Sequence, residues 1–152
     1  MATQNTKNEF NQIIGGKLEN WQPPKFPSKE TLEGTYCILE PLNPDLHANY
    51  LLECFQQDDS GWTYLSYGPF ATYNEFHAWL VDLLKKEDVC AFAILDKTIK
   101  RPLGMASYLR TKPQHGTTEI GYLHFSKDLR RTAVATEAIY KMINYVFDLG
   151  YR

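Results

Sequence analysis

Long apolar runs are missing from this chain of 152 residues. None approaches the roughly 18 consecutive apolar residues of a spanning helix, which excludes a helical membrane protein. The opening residues, MATQNTKNEFNQ, lack the basic start and apolar core of a secretory signal. Charge of one sign is missing too: 16 Lys and Arg stand against 18 Asp and Glu, a net of −2, with no long block of either. Proteins that coat duplex nucleic acid are distinctly basic, so no nucleic acid is expected as partner, although a small anion needs only a local site. Cysteine is scarce. Cys37, Cys54 and Cys90 are odd in number, form no CxxC pair and lie among apolar neighbours. That fits reduced, buried thiols in a cytoplasmic protein better than a disulfide scaffold or a zinc site. His47, His77 and His115 show no ligand spacing such as HExxH, so no metal is expected. Repeats and low-complexity tracts are absent. With 43% hydrophobic and 22% charged residues, the composition is that of one globular domain and not of a disordered chain.

What is present begins with an arm. Residues 1–34 carry Gly15-Gly16, Pro23-Pro24 and Pro27 in a polar stretch without helix or strand period, and Trp21 and Phe26 are placed to pin it to a surface. The remaining residues, 35–152, carry the domain. Tyr36–Leu42 reads as a short strand. Asn43 is a plausible N-cap for a helix whose first turn holds Pro44. After a loop from Asp58 to Ala71, Thr72 and Glu75 have capping-box spacing. Phe76, Trp79, Leu80, Leu83 and Leu84 then form one apolar stripe of a helix.

Three strands follow. Val89–Leu95 is almost wholly apolar, as a strand covered on both faces would be. Leu103–Leu109 returns as its antiparallel neighbour. Thr117–Phe125 is the third, with Ile120, Tyr122 and His124 on one face and Glu119, Gly121, Leu123 and Phe125 on the other. A helix runs from about Thr132 to Leu149, and Gly150 suits the position just past its end. The order β-α-α-β-β-β-α describes an α+β sheet with helices packed on its faces.

The join between the third strand and this helix, FSKDLRRTAVAT, carries the chemistry. A helix N-terminus leaves backbone N–H groups unpaired and partly positive. Small residues there let a phosphate approach the backbone, and Arg130 and Arg131 add full charges, so the segment suits a pyrophosphate. The same residues also suit tight helix–sheet packing beside a solvated arginine turn.

Arg130-Arg131-Thr132-Ala133-Val134-Ala135 resembles the Q/R-x-x-G-x-G/A loop of the GNAT N-acetyltransferases, which cradles the pyrophosphate of coenzyme A. Ala135-Thr136-Glu137-Ala138, Glu119-Ile120-Gly121-Tyr122, the segment Trp62–Phe70 and Arg101-Pro102-Leu103-Gly104 are similar to the RimJ/RimL-like branch, which contains the ribosomal-protein N-terminal acetyltransferases. The resemblance runs from about residue 30 to the end. One departure stands out: the family's first glycine is Ala133 here. A helical Ala133 tolerates its methyl group, whereas a position needing positive φ would weaken coenzyme A binding.

The resemblance implies a GNAT-like, mostly antiparallel sheet and acetyl transfer from acetyl-CoA to a primary amine, either a protein N-terminus or a small molecule. It implies that the main chain of Leu123 and Phe125 holds the acetyl and pantetheine parts, and that Arg130, Arg131, Thr132, Ala133, Val134, Ala135 and Thr136 hold the pyrophosphate. The amine must lose a proton before it attacks, and Glu119 is the candidate base; its other reading is a strand carboxylate in a surface ion pair. Trp62, Tyr64, Tyr67 and Phe70 are candidates for the acceptor pocket, or else cover the core edge. His124, Ser126 and Asp128 are not read as a triad, because triads are assembled by geometry and not by close spacing. Tyr122 reads as core. A non-catalytic acyl-CoA-binding or protein-interaction module of the same fold is the alternative. In the superfamily a further strand, helix and strand pair follow the last helix seen here. The expectation is therefore a fold truncated before its last strands, with Thr117–Phe125 as an open edge that a second copy of the chain could complete.

Overall fold

The computed structural model describes residues 6–16 and 18–152. A small hairpin, β1 (Thr6–Lys7) with β2 (Ile13–Ile14), stands apart from a five-stranded antiparallel sheet. The sheet runs β3 (Leu32–Glu33), β4 (Cys37–Pro41), β5 (Cys90–Asp96), β6 (Arg101–Lys112) and β7 (Thr117–Phe125), each strand paired with its sequence neighbour. Helices α1 (Pro44–Phe55) and α2 (Tyr73–Leu84) cover one face, and α3 (Ala133–Asp148) covers the other. From β4 onward this is the expected order. The two-residue strands β1, β2 and β3 lie in the segment read as an arm without regular structure, because two residues are too short to show a period.

The helix starts follow their side chains. Asn43 Oδ1 accepts the Asp45 amide at 3.0 Å. Thr72 Oγ1 accepts the Glu75 amide at 3.3 Å while Glu75 Oε2 accepts the Thr72 amide at 3.2 Å, a closed capping box. Gly150 takes φ +100°, a left-handed turn past α3 that a side chain would strain.

β5 is buried on both sides, as its composition predicts. Ala91, Ala93 and Leu95 join Phe55, Phe76, Leu80 and Met105 under α1 and α2. Cys90, Phe92 and Ile94 join Leu39, Tyr108, Ala138 and Met142 under α3. Each large side chain buried here contributes about 1.5–3 kcal/mol. The Tyr108 hydroxyl donates to Met142 O at 2.7 Å, tying the middle of α3 to the sheet. The Ser28 amide and hydroxyl both meet the Tyr145 hydroxyl, at 3.1 and 2.7 Å, fastening the approach to β3 onto α3.

The last strand departs from simple alternation. Met105 pairs with His124 but Ser107 pairs with Gly121, so Tyr122 and Leu123 together oppose Ala106. This is a β-bulge, and Tyr122 sits in it at φ +48°. The extra residue inverts the alternation. Ile120 packs on the α3 side and Tyr122 on the α1–α2 side, while Phe125 joins Ile120. The expected grouping of Ile120 with Tyr122 and His124, and of Phe125 with Glu119, fails for this reason. β7 is also the end of the sheet. Beside its free edge, Ile120, Ile143, Phe147 and Tyr151 line an open apolar groove.

Candidate functional site

The site is built where β7 turns into α3. The Ser126 amide donates to Leu103 O at 3.0 Å, and the Ser126 hydroxyl accepts the Leu129 amide at 3.2 Å. Leu129 is fully buried and plugs the turn into the core. Arg131 follows at φ +62°, reversing the chain so that Thr132 caps α3. The Thr132 hydroxyl accepts the Ala135 amide at 3.2 Å and donates to Leu129 O at 2.7 Å. No acceptor among the described residues meets the amides of Ala133 and Val134. They form an unpaired, partly positive donor pair suited to a phosphate oxygen, with Ala133 exposed and Val134 buried behind it. Ala133 is helical and the left-handed residue is Arg131, so the methyl that replaces the family's glycine needs no strained backbone.

The two arginines differ. Arg131 is exposed on the turn. Arg130 is occupied: its Nε donates to Phe125 O at 3.0 Å and its Nη1 to Asp58 Oδ2 at 2.9 Å. Asp58 in turn caps a short 3-10 turn, Asp59–Trp62, by accepting the Ser60 amide at 3.1 Å. Arg130 therefore fastens the start of the aromatic loop to the strand-to-helix turn. Asp58 has no sequence signal for this, since its partner lies 72 residues away.

Glu119 stands on β7, and Arg110 Nη1 donates to its Oε2 at 2.8 Å; both side chains are substantially exposed, at 47% and 74%. Its oxygen lies beside Gly121 on the α1–α2 side of the strand. Next to it, Tyr122 is half-buried against Tyr67 and Trp79. The Tyr122 hydroxyl accepts a hydrogen bond from Lys86 Nζ at 2.8 Å. Lys86 and Trp79 enter the site unannounced: in sequence one is a helix-end charge and the other a stripe residue. The loop aromatics are divided. Trp62 is buried against Phe55 and Phe70. Tyr67 stacks on Trp79 with ring centres 4.5 Å apart, and burial pushes its phenol upward. Tyr64 stands almost wholly in solvent.

His124 lies within the core and not in a triad. Its ring stacks on Phe55 at 3.8 Å and meets the edge of Trp62 at 3.9 Å. Neither ring nitrogen has a partner among the described residues. Burial, aided by the nearby Arg130 cation, lowers its pKa to about 4. All three thiols are buried and free, and burial raises Cys37 and Cys54 to about 12 and Cys90 to about 11. Among the described residues no group of three or more His, Cys, Asp or Glu side chains is gathered for a metal, and no helix is long and apolar enough to cross a membrane.

This architecture is shared with solved structures. A GCN5-related N-acetyltransferase from Brucella melitensis is 37% identical, with a TM-score of 0.85 over 89% of this chain and 62% of its own. A protein described as a probable acetyltransferase of the GNAT family from Chromobacterium violaceum is 33% identical, with a TM-score of 0.86 over 91% of this chain and 70% of its own. The ribosomal L7/L12 alpha-N-protein acetyltransferase RimL shares the fold at 12% identity, with a TM-score of 0.66 over 80% of this chain and 67% of its own. This chain thus spans about two thirds of the length of these structures. No curated protein matches it. Residues 37–151 match the acetyltransferase (GNAT) domain, and the chain belongs to that family.

Proposed function

We propose that this protein is an acetyl-CoA-dependent N-acetyltransferase acting on a primary amine, a protein N-terminus or a small molecule. The observation that carries the reading is the pair of uncapped amides, Ala133 and Val134, opening α3 at the end of an edge strand within the family domain. Acetyl-CoA supplies the acetyl group as a thioester, an electrophile that an amine attacks directly. The chain does the rest. The start of α3, from Thr132 through Ala135 and Thr136, binds the pyrophosphate with Arg131, and Arg130 keeps that turn in place. The main chain of Leu123 and Phe125 lies on the end strand and offers hydrogen-bonding groups to the pantetheine arm. Glu119, steadied by Arg110, takes the proton from the acceptor ammonium directly or through a water. Tyr67, with Phe70 and Trp62 behind it, walls the acceptor side. Three buried, protonated thiols suit the reducing cytoplasm.

Calorimetry with acetyl-CoA, followed by thiol release with a panel of amines and peptides, tests this. Saturable binding and amine-dependent release are expected; no binding at millimolar acetyl-CoA overturns the reading. Binding without release for any amine would favour the non-catalytic acyl-CoA-binding module.

A further inference from the structure

One carboxylate in α3 is held in a way the acetyl-transfer reading does not use. Glu137 lies one turn past Ala133, and its carboxylate accepts three main-chain N–H groups from the segment leading into β4. Oε1 takes the Thr35 amide at 2.7 Å; Oε2 takes the Tyr36 amide at 2.6 Å and the Cys37 amide at 2.9 Å. The Gly34 amide donates to Cys37 O at 2.9 Å, which curls the segment so that its amides converge. A side chain at position 34 would overlap the carboxylate, so Gly34 leaves the space Glu137 fills. These bonds hold the carboxyl down to about 2 against the cost of burying it.

Among the described residues, the other hydrogen bonds from α3 to the body of the protein lie further along the helix, at Met142 and Tyr145. Glu137 is, among the described residues, the side chain that hydrogen-bonds the first two turns of α3 to the segment entering β4, beside the apolar packing of Val134, Ala135 and Ala138. A rigid helix transmits that fixation about 6 Å back to Ala133, at 1.5 Å per residue.

We propose that Glu137 is a positioning residue for the phosphate-binding end of α3: by filling the amide nest of residues 35–37, it fixes where the Ala133 and Val134 amides point. The inference rests on the acetyl-CoA reading above. It does not require Glu137 to touch the cofactor.

The test uses two variants that break the same contact from opposite sides. Glu137→Gln keeps the shape but replaces one acceptor oxygen with a donor facing N–H groups. Gly34→Ala displaces the carboxylate from a position remote from the cofactor turn. Calorimetric Kd for coenzyme A and for acetyl-CoA is measured well below each variant's Tm. Both variants should bind both ligands about tenfold more weakly, as for a misaligned donor set. The double variant should be no worse than the weaker single one, and kcat at saturating acetyl-CoA should stay within about twofold. Lower Tm with unchanged Kd in both variants overturns the positioning role and leaves the acetyl-CoA reading standing. Failure of the unmodified protein to bind either ligand overturns both.

Discussion

Acidification should unfold this protein through His124 before its carboxylates matter. In the native state the ring is closed in by Phe55, Trp62 and Gly61, and the two charges facing it are Arg130 and Asp58. Burial and the Arg130 cation depress its pKa and Asp58 opposes them, leaving it at about 4 against 6.5 for an ordinary histidine. The folded protein refuses a proton that the unfolded chain accepts. Stability is therefore full above about pH 6.5 and is lost as pH falls toward 4. At about 1.4 kcal/mol per unit, the loss is about 2 kcal/mol by pH 5 and about 3 kcal/mol by pH 4. That is a large share of a typical 5–15 kcal/mol. Urea unfolding at pH 7 and pH 5 measures it, and pH 5 still lies above 4.5, the ordinary value below which the stabilisation from Glu137, held down to about 2 in the fold, begins to be lost. In His124→Leu the protein should start less stable at pH 7, having lost the stacked ring. Its further loss on going to pH 5 should shrink to the share left to His47, which burial also lowers. An unchanged difference between pH 7 and pH 5 in that variant would show that His124 is not held neutral.

Further outcomes follow from contacts described above. Glu119→Gln should abolish most amine-dependent thiol release while leaving the calorimetric Kd for acetyl-CoA within about twofold; equal loss of both would remove Glu119 from proton transfer. Tyr108→Phe leaves the Met142 carbonyl without its 2.7 Å donor and should cost about 1–2 kcal/mol in urea unfolding. Arg130→Met and Asp58→Asn should each loosen the segment 58–62 in hydrogen exchange, with the double variant no looser than either, because they break one tie; additive effects would mean the two act separately.

Much of the fold was legible because its signals are local. The Thr72 capping box, the Asn43 cap, the span Thr117–Phe125 and the turn at Gly150 each depend on residues a few positions apart, and all are realised. The bulge at Tyr122 was not legible. A tyrosine disfavours positive φ, and only the register against β6 forces it there. The faces of Ile120 and Phe125 were misread as a consequence. In the site, the small residues opening α3 were readable. The roles of Arg130 and Glu137 were not, since their partners lie 72 and about 100 residues away. The aromatic loop has no period, so nothing in it foretold that Trp62 turns inward while Tyr64 turns out.

The buried cysteines make this protein quiet toward thiol chemistry. With Cys37 and Cys54 raised to about 12 and Cys90 to about 11, each of them buried, almost none of the reactive thiolate exists at neutral pH. Maleimides, iodoacetamide and aromatic disulfide reagents should leave the native protein unlabelled. A colorimetric reagent present during turnover would then report the released coenzyme thiol with little background from the enzyme and without poisoning it. The same reagent becomes a clock for unfolding: its slow uptake of three equivalents per chain would follow the opening of both sides of the sheet, Cys54 on one and Cys37 and Cys90 on the other.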